Sequence, residues 1–161
     1  MTSRLERLTT AIFGVPFALL LGVAVALAAA NPLVGTWHLN VAKSKFRTSP
    51  PPKSAIAKVT TSKDGEISVH LSTVNGDGKK GEFQYTASYD GKDYPMSGSK
   101  VFDAISLKRI DDHTDEVIYK QKGKVIRTSK RAVSSDGKTL TITDEAPGRK
   151  RASVISVWDR Q

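Results

Sequence analysis

The sequence predicts an all-β protein, a single antiparallel up-and-down barrel of about 8–10 strands behind an export signal. Three observations carry this. Apolar and polar residues alternate with a period of two, Ile67, Val69 and Leu71 against Ser68, His70 and Ser72, then Phe83, Tyr85, Ala87 and Tyr89 against Glu82, Gln84, Thr86 and Ser88. The alternating runs are separated by Asp64-Gly65, Asn75-Gly76, Asp90-Gly91 and Asp136-Gly137, the residue pairs that tight hairpins require. No stretch after Ala30 keeps a 3.6-residue period.

Arg4 and Arg7 precede an apolar run from Ala11 to Ala30 that ends in Ala28-Ala29-Ala30, a small-x-small cleavage pattern. Residues 1–30 are therefore read as a signal peptide cleaved near Ala30/Asn31. The mature domain, 31–161, is expected in the periplasm or outside the cell. The rival reading is an uncleaved anchor, since about twenty apolar residues cross a bilayer. Pro16 and the lack of a positive flank after Ala30 favour cleavage. The sequence has no cysteine, so neither a disulfide framework nor a lipid-modified cysteine is available. Stability has to come from a core and from sheet pairing.

The opening strand is expected over about Val34–Val41, with one of the two tryptophans in Gly35-Thr36-Trp37-His38-Leu39-Asn40. Pro50-Pro51-Pro52 forbids helix and central strand, which makes Thr48–Lys53 a loop across one end of the fold. Further strands are expected over Ala55–Thr61, Glu66–Val74, the Phe83–Tyr89 run, Ala104–Ile110, Glu116–Gln121, Val125–Val133, Lys138–Asp144 and Ala152–Asp159. Sequential hairpins without a long crossover favour a closed barrel over a sandwich. The last strand carries the second tryptophan, Trp158, and should pair with the first.

The net charge is +9; without residues 1–30, 23 basic side chains stand against 15 acidic ones, or +8. In an exported protein this balance points away from nucleic acid and toward an anionic envelope surface, or simply to a well-solvated exterior. Arg127, Arg131, Arg149, Lys150 and Arg151 are read as its basic surface. His38, His70 and His113 lie far apart in sequence with no carboxylate or second histidine at metal-ligand spacing. The acidic pairs Asp111-Asp112, Asp115-Glu116 and Asp144-Glu145 are read as falling in turns or at strand ends. No nucleophile elbow or phosphate-binding loop is present in the sequence. The expectation is a non-enzymatic monomer with no metal, no cofactor and no membrane span in the mature chain.

Gly35-x-Trp37 on the first strand and the ending Trp158-Asp159-Arg160 resemble the calycin superfamily, the lipocalins and fatty-acid-binding proteins. The resemblance implies that Trp37 plugs the closed end of the barrel and that Arg160 covers it through a cation–π contact. The run from Gly35 to Phe46, with Tyr89-Asp90-Gly91-Lys92-Asp93-Tyr94-Pro95, also resembles a group of small exported bacterial proteins of undefined function. Two departures stand out. Fatty-acid-binding proteins place two helices between their first strands, where this chain has three prolines. They also hold a carboxylate with Arg-x-Tyr on the last strand, where this chain has Ser156-Val157-Trp158.

Two functions follow. Phe83, Tyr85, Tyr89, Tyr119 and Trp158 could line a cavity for a small apolar or amphipathic molecule, because ring bodies supply apolar area while hydroxyls orient a polar end. The same rings could fill the barrel, leaving a non-enzymatic interaction module, an inhibitor or an envelope-binding protein, that works through its loops and basic surface. Register at Ser135-Asp136-Gly137 bears on the choice. A two-residue turn at Asp136-Gly137 sets Val133 opposite Leu140 and Arg131 opposite Ile142, which turns Arg127 and Arg131 inward. A three-residue loop flips the face and turns them outward. The expectation is the second, since it strands no arginine in the core.

Overall fold

The computed structural model describes residues 31–48, 50–149 and 151–161; the signal peptide expected over 1–30 lies outside them. Ten strands follow one another: β1 (Gly35–Phe46), β2 (Ser54–Thr61), β3 (Ile67–Val74), β4 (Lys80–Ala87), β5 (Tyr94–Ser97), β6 (Ala104–Arg109), β7 (Thr114–Gln121), β8 (Lys124–Val133), β9 (Thr139–Glu145) and β10 (Val154–Arg160). Each pairs antiparallel with its neighbours in sequence, and β1 also pairs with β10, so the sheet closes into an up-and-down barrel without a free edge. The expected closure through the two tryptophan strands is present. Leu39 lies opposite Trp158 and Trp37 opposite Arg160.

Two elements differ from the sequence reading. β5 has four residues including Pro95 and pairs with β4 only at Gln84–Ser97 and Tyr85–Met96; a strand this short shows no alternation to read. β1 continues past Val41 to Phe46 across an irregularity between Asn40 and Lys45. Ser44 bridges it: its hydroxyl donates to the Asn40 carbonyl at 2.6 Å and accepts from the Val157 N–H at 2.9 Å, replacing the missing ladder bonds.

The register at the β8–β9 turn is the opposite of the one expected. Val133 faces Leu140 and Arg131 faces Ile142. Gly137 is in the left-handed region (φ 71°), as a three-residue loop would also have it. The Ser134 N–H, however, bonds the Thr139 carbonyl, so the loop is the four residues Ser135–Lys138. An even loop keeps the parity of a two-residue turn. Arg131, Ser129 and Arg127 therefore point inward, and Lys130 is exposed. Arg131 is only 5% exposed, so neither it nor Arg127 belongs to an outer basic surface. The burial is tolerated because the neighbouring strands supply partners: Asp115 lies directly opposite Arg131 on β7, and Asp144 opposite Ser129 on β9.

Trp37 and Ile67 at the closed end and Leu107 and Val117 midway along β6 and β7 are fully buried. Above them the interior opens.

Candidate functional site

Alternate connections between strands meet at the same end, so the barrel has a closed end holding Asn31–Val34 and Gln161 and an open end where Pro50–Lys53 packs beside the Asn75–Lys79 turn. Three layers lie between. The lowest is the plug. Trp37 donates its indole N–H to the Leu33 carbonyl at 2.8 Å, and the Arg160 guanidinium lies 4.2 Å from the ring centroid. Arg160 also donates to the carbonyls of Gly137, Val34 and Pro32.

The middle layer is a buried polar network. Arg131 makes a two-pronged ion pair with Asp115, Nε to Oδ1 at 2.7 Å and Nη2 to Oδ2 at 2.8 Å, while its Nη1 donates to the Tyr85 hydroxyl at 2.8 Å. Tyr89 donates to Asp115 Oδ2 at 2.7 Å and accepts from the Asn31 amide at 3.3 Å. Burial works against the Arg131 charge, but its neighbours Tyr85 and Asp115 outweigh it and hold the guanidinium protonated. Burial pushes the hydroxyls of Tyr85 and Tyr119 up, so both are neutral phenols at physiological pH. Every side-chain nitrogen of Arg131 and both oxygens of Asp115 have a partner in this layer.

The upper layer is a chamber of about 160 Å³ whose walls include Leu71, Phe83, Tyr85, Tyr119, Ile142 and Trp158. A mouth of about 640 Å³ beneath Pro50 and Pro52 adjoins it, and Leu71, Arg127, Asp144, Ser156 and Trp158 line both spaces. These five residues form a neck. Arg127 is held there by two rings, its guanidinium carbon 4.3 Å from the Tyr119 centroid and 4.6 Å from that of Phe102. Its one hydrogen bond among the described residues is a long one, Nη1 to Asp144 Oδ2 at 3.3 Å, and its Nε is buried without an acceptor. Asp144 accepts at 2.5 Å from Ser129, and Trp158 donates to Ser156 at 2.9 Å. Every nitrogen of Arg131 thus has a partner, whereas Arg127 makes one long hydrogen bond and leaves its Nε without an acceptor at the entrance of an apolar chamber.

Of the sequence-derived ligand residues, Phe83, Tyr85, Tyr119 and Trp158 line the chamber. Tyr89 lies below it, bonded to Asp115 and stacked under Arg109, whose guanidinium carbon is 4.2 Å from the ring centroid. Arg149 and Arg151 are exposed on the β9–β10 connection, and Lys150 lies outside the described residues. The neck residues Arg127, Asp144 and Ser156 were missed as a set. Their signal was present in the cross-strand pairing of β7, β8 and β9, which brings acids to both arginines once the register is known. Among the described residues no group of three or more His, Asp or Glu could hold a metal ion.

No protein-family model matches the sequence, and no curated protein matches it by sequence. Its structure is similar to the crystal structure of the fluorescent protein UnaG, with TM-score 0.57 and 12% identity over 80% of this chain and 97% of that one. A more distant similarity is to the tryptamine complex of the amine binding protein of Rhodnius prolixus, with TM-score 0.46 and 16% identity over 80% of this chain and 63% of that one. At such identities the likeness is one of fold alone, a closed up-and-down β-barrel of lipocalin-like shape.

Proposed function

We propose that this barrel is a non-enzymatic binding protein for a small amphipathic molecule. An apolar tip sits in the chamber and a hydrogen-bonding group is held at the neck by Arg127, Asp144 and Ser156. The observation that carries the proposal is that mouth and chamber adjoin, with five residues lining both. The chamber sets the size of the tip. A dry cavity of about 150 Å³ accepts benzene, so about 160 Å³ fits one ring or a short branched chain and excludes a folded long acyl chain. Because Asp144 stands beside Arg127, the neck as a whole is close to neutral, which favours a neutral polar group or a paired donor and acceptor over a bare carboxylate.

The test is titration with benzyl alcohol and with benzoate, followed by Trp158 emission and by the methyl NMR signals of Leu71 and Ile142. Both should shift, more strongly with the alcohol, and Ile142→Trp, which fills the chamber, should abolish the Leu71 methyl response while the fold persists by circular dichroism. A chamber as silent in the wild type as in Ile142→Trp would overturn the proposal. Its small volume against the roughly 300 Å³ or more of ordinary ligand pockets is what favours the second reading, an interaction module with a nearly solid barrel.

The export reading is proposed with it: residues 1–30 are removed and the mature protein works in the periplasm or outside the cell. Asn31 bonds Tyr89 and the Leu33 N–H at the closed end, so a chain beginning there keeps its lower contacts. Mass spectrometry of the exported protein should find a start at or near Asn31; an intact N-terminus retained in the membrane would count against cleavage.

A further inference from the structure

Sequence order hides a segregation of charge that the topology creates. In an up-and-down barrel the connections alternate between ends, and the five at the open end are β1–β2, β3–β4, β5–β6, β7–β8 and β9–β10. Counted in the sequence over these connections and the strand residue on either side of each, ten basic side chains stand against three acidic ones, Asp77, Asp103 and Glu145. Arg47, Lys79, Lys100, Lys122 and Arg151 come one from each connection, and all are exposed. The four connections at the closed end, counted the same way, carry four basic and seven acidic residues. The molecule therefore has a positive rim around its mouth and a negative base. Two exposed apolar side chains stand on this rim, Val101 (52% exposed) on the β5–β6 connection and Val125 (37%) at the start of β8, against one at the closed end, Ile110 (51%).

We propose that the open end is a docking face for a lipid bilayer carrying anionic headgroups, and that the barrel meets this surface mouth first. Clustered lysine and arginine on one face are drawn to an anionic leaflet, and their fields overlap because successive connections at one end are two strand spacings, about 10 Å, apart, close to the Debye length of about 8–10 Å. Exposed valines among the cations favour a bilayer over a purely polar polyanion, since they have an apolar layer to enter. Docked in this pose, the mouth beneath Pro50 and Pro52 opens against the membrane, and an amphipathic molecule passes between bilayer and chamber without crossing bulk water.

The test is co-flotation of the unliganded mature protein with vesicles, so its outcome is read independently of any ligand in the chamber. Phosphatidylcholine vesicles are compared with vesicles of phosphatidylcholine and phosphatidylglycerol in about a three-to-one ratio. The protein should partition to the anionic vesicles only, and lose most of that partitioning when salt is raised from about 0.05 M to about 0.5 M. Combining Arg47→Glu, Lys79→Glu, Arg149→Glu and Arg151→Glu should weaken partitioning at least about tenfold, while Lys63→Glu with Lys138→Glu at the closed end changes it less than about twofold. Val101→Asp with Val125→Asp should weaken it while leaving the net charge strongly positive. Equal losses from rim and base variants, equal binding to neutral vesicles, or capture by soluble dextran sulfate without any partitioning to vesicles would each overturn the proposal, the last in favour of a polysaccharide partner.

Discussion

Arg131→Ala is expected to destabilise the protein by about 3–5 kcal/mol, because it leaves the Asp115 carboxylate buried without its guanidinium. Arg131 and Asp115 are each 5% exposed, and three N–H donors of the arginine are engaged by Asp115 and Tyr85. The loss is a large part of the roughly 5–15 kcal/mol that holds a domain of this size together. The pair itself need not be the source of that stability. Its attraction works against the desolvation of two ions, so replacing both partners with apolar residues, Arg131→Met with Asp115→Leu, should recover much of the loss, short of the bonds to Tyr85 and Tyr89. Chemical denaturation of the four members of the double-mutant cycle measures this directly. A single Arg131→Ala loss below about 1 kcal/mol would mean that water reaches Asp115 and that the network is not a dry one.

The same network explains what the sequence could and could not disclose. Strands with one dry face, such as Ile67–Leu71 and Phe83–Tyr89, announce themselves through alternation, and their hairpin turns through Asp-Gly and Asn-Gly. Those local signals are enough for the barrel and for the pairing of its tryptophan strands. Register at β8–β9 was misread because an inward arginine looks prohibitively costly when its own strand alone is considered. What lowers the cost, Asp115, is 16 residues away in sequence and directly opposite in space. The neck was invisible for the same reason, Arg127 and Asp144 being 17 residues apart on adjacent strands. The basic rim escaped notice because its lysines and arginines look scattered along the chain; only the rule that alternate turns share an end collects them. β5 left no trace at all, being a four-residue strand with Pro95 at its second position.

Trp37→Ala is expected to cost about 3–5 kcal/mol, the range for removing a large buried aromatic. Trp37 has no exposed surface, its indole N–H is satisfied by the Leu33 carbonyl, and Arg160 covers its outer face at 4.2 Å. Truncation therefore opens a cavity at the base of the barrel, orphans the Leu33 carbonyl and removes the ring on which Arg160 rests. Arg160 ties the closed end together through the carbonyls of Pro32, Val34 and Gly137, so loosening it should also unsettle the β8–β9 turn and the segment before β1. The glycine two residues earlier belongs to the same unit. Gly35 has a φ of 144°, and a Cβ there would run into the Arg160 guanidinium, so Gly35→Ala must displace the cover while leaving the plug in place. This orders the variants: Trp37→Ala costs most, and Gly35→Ala costs less because only the arginine contacts and backbone strain are at stake. Trp37→Phe falls below Trp37→Ala too, since it keeps a ring under Arg160 and gives up the bond to Leu33. Equilibrium unfolding supplies the three values, and amide exchange at Gly137 and Val34 reports the loosening. A Trp37→Ala loss smaller than that of Gly35→Ala would show that the arginine, and not the tryptophan, closes the barrel.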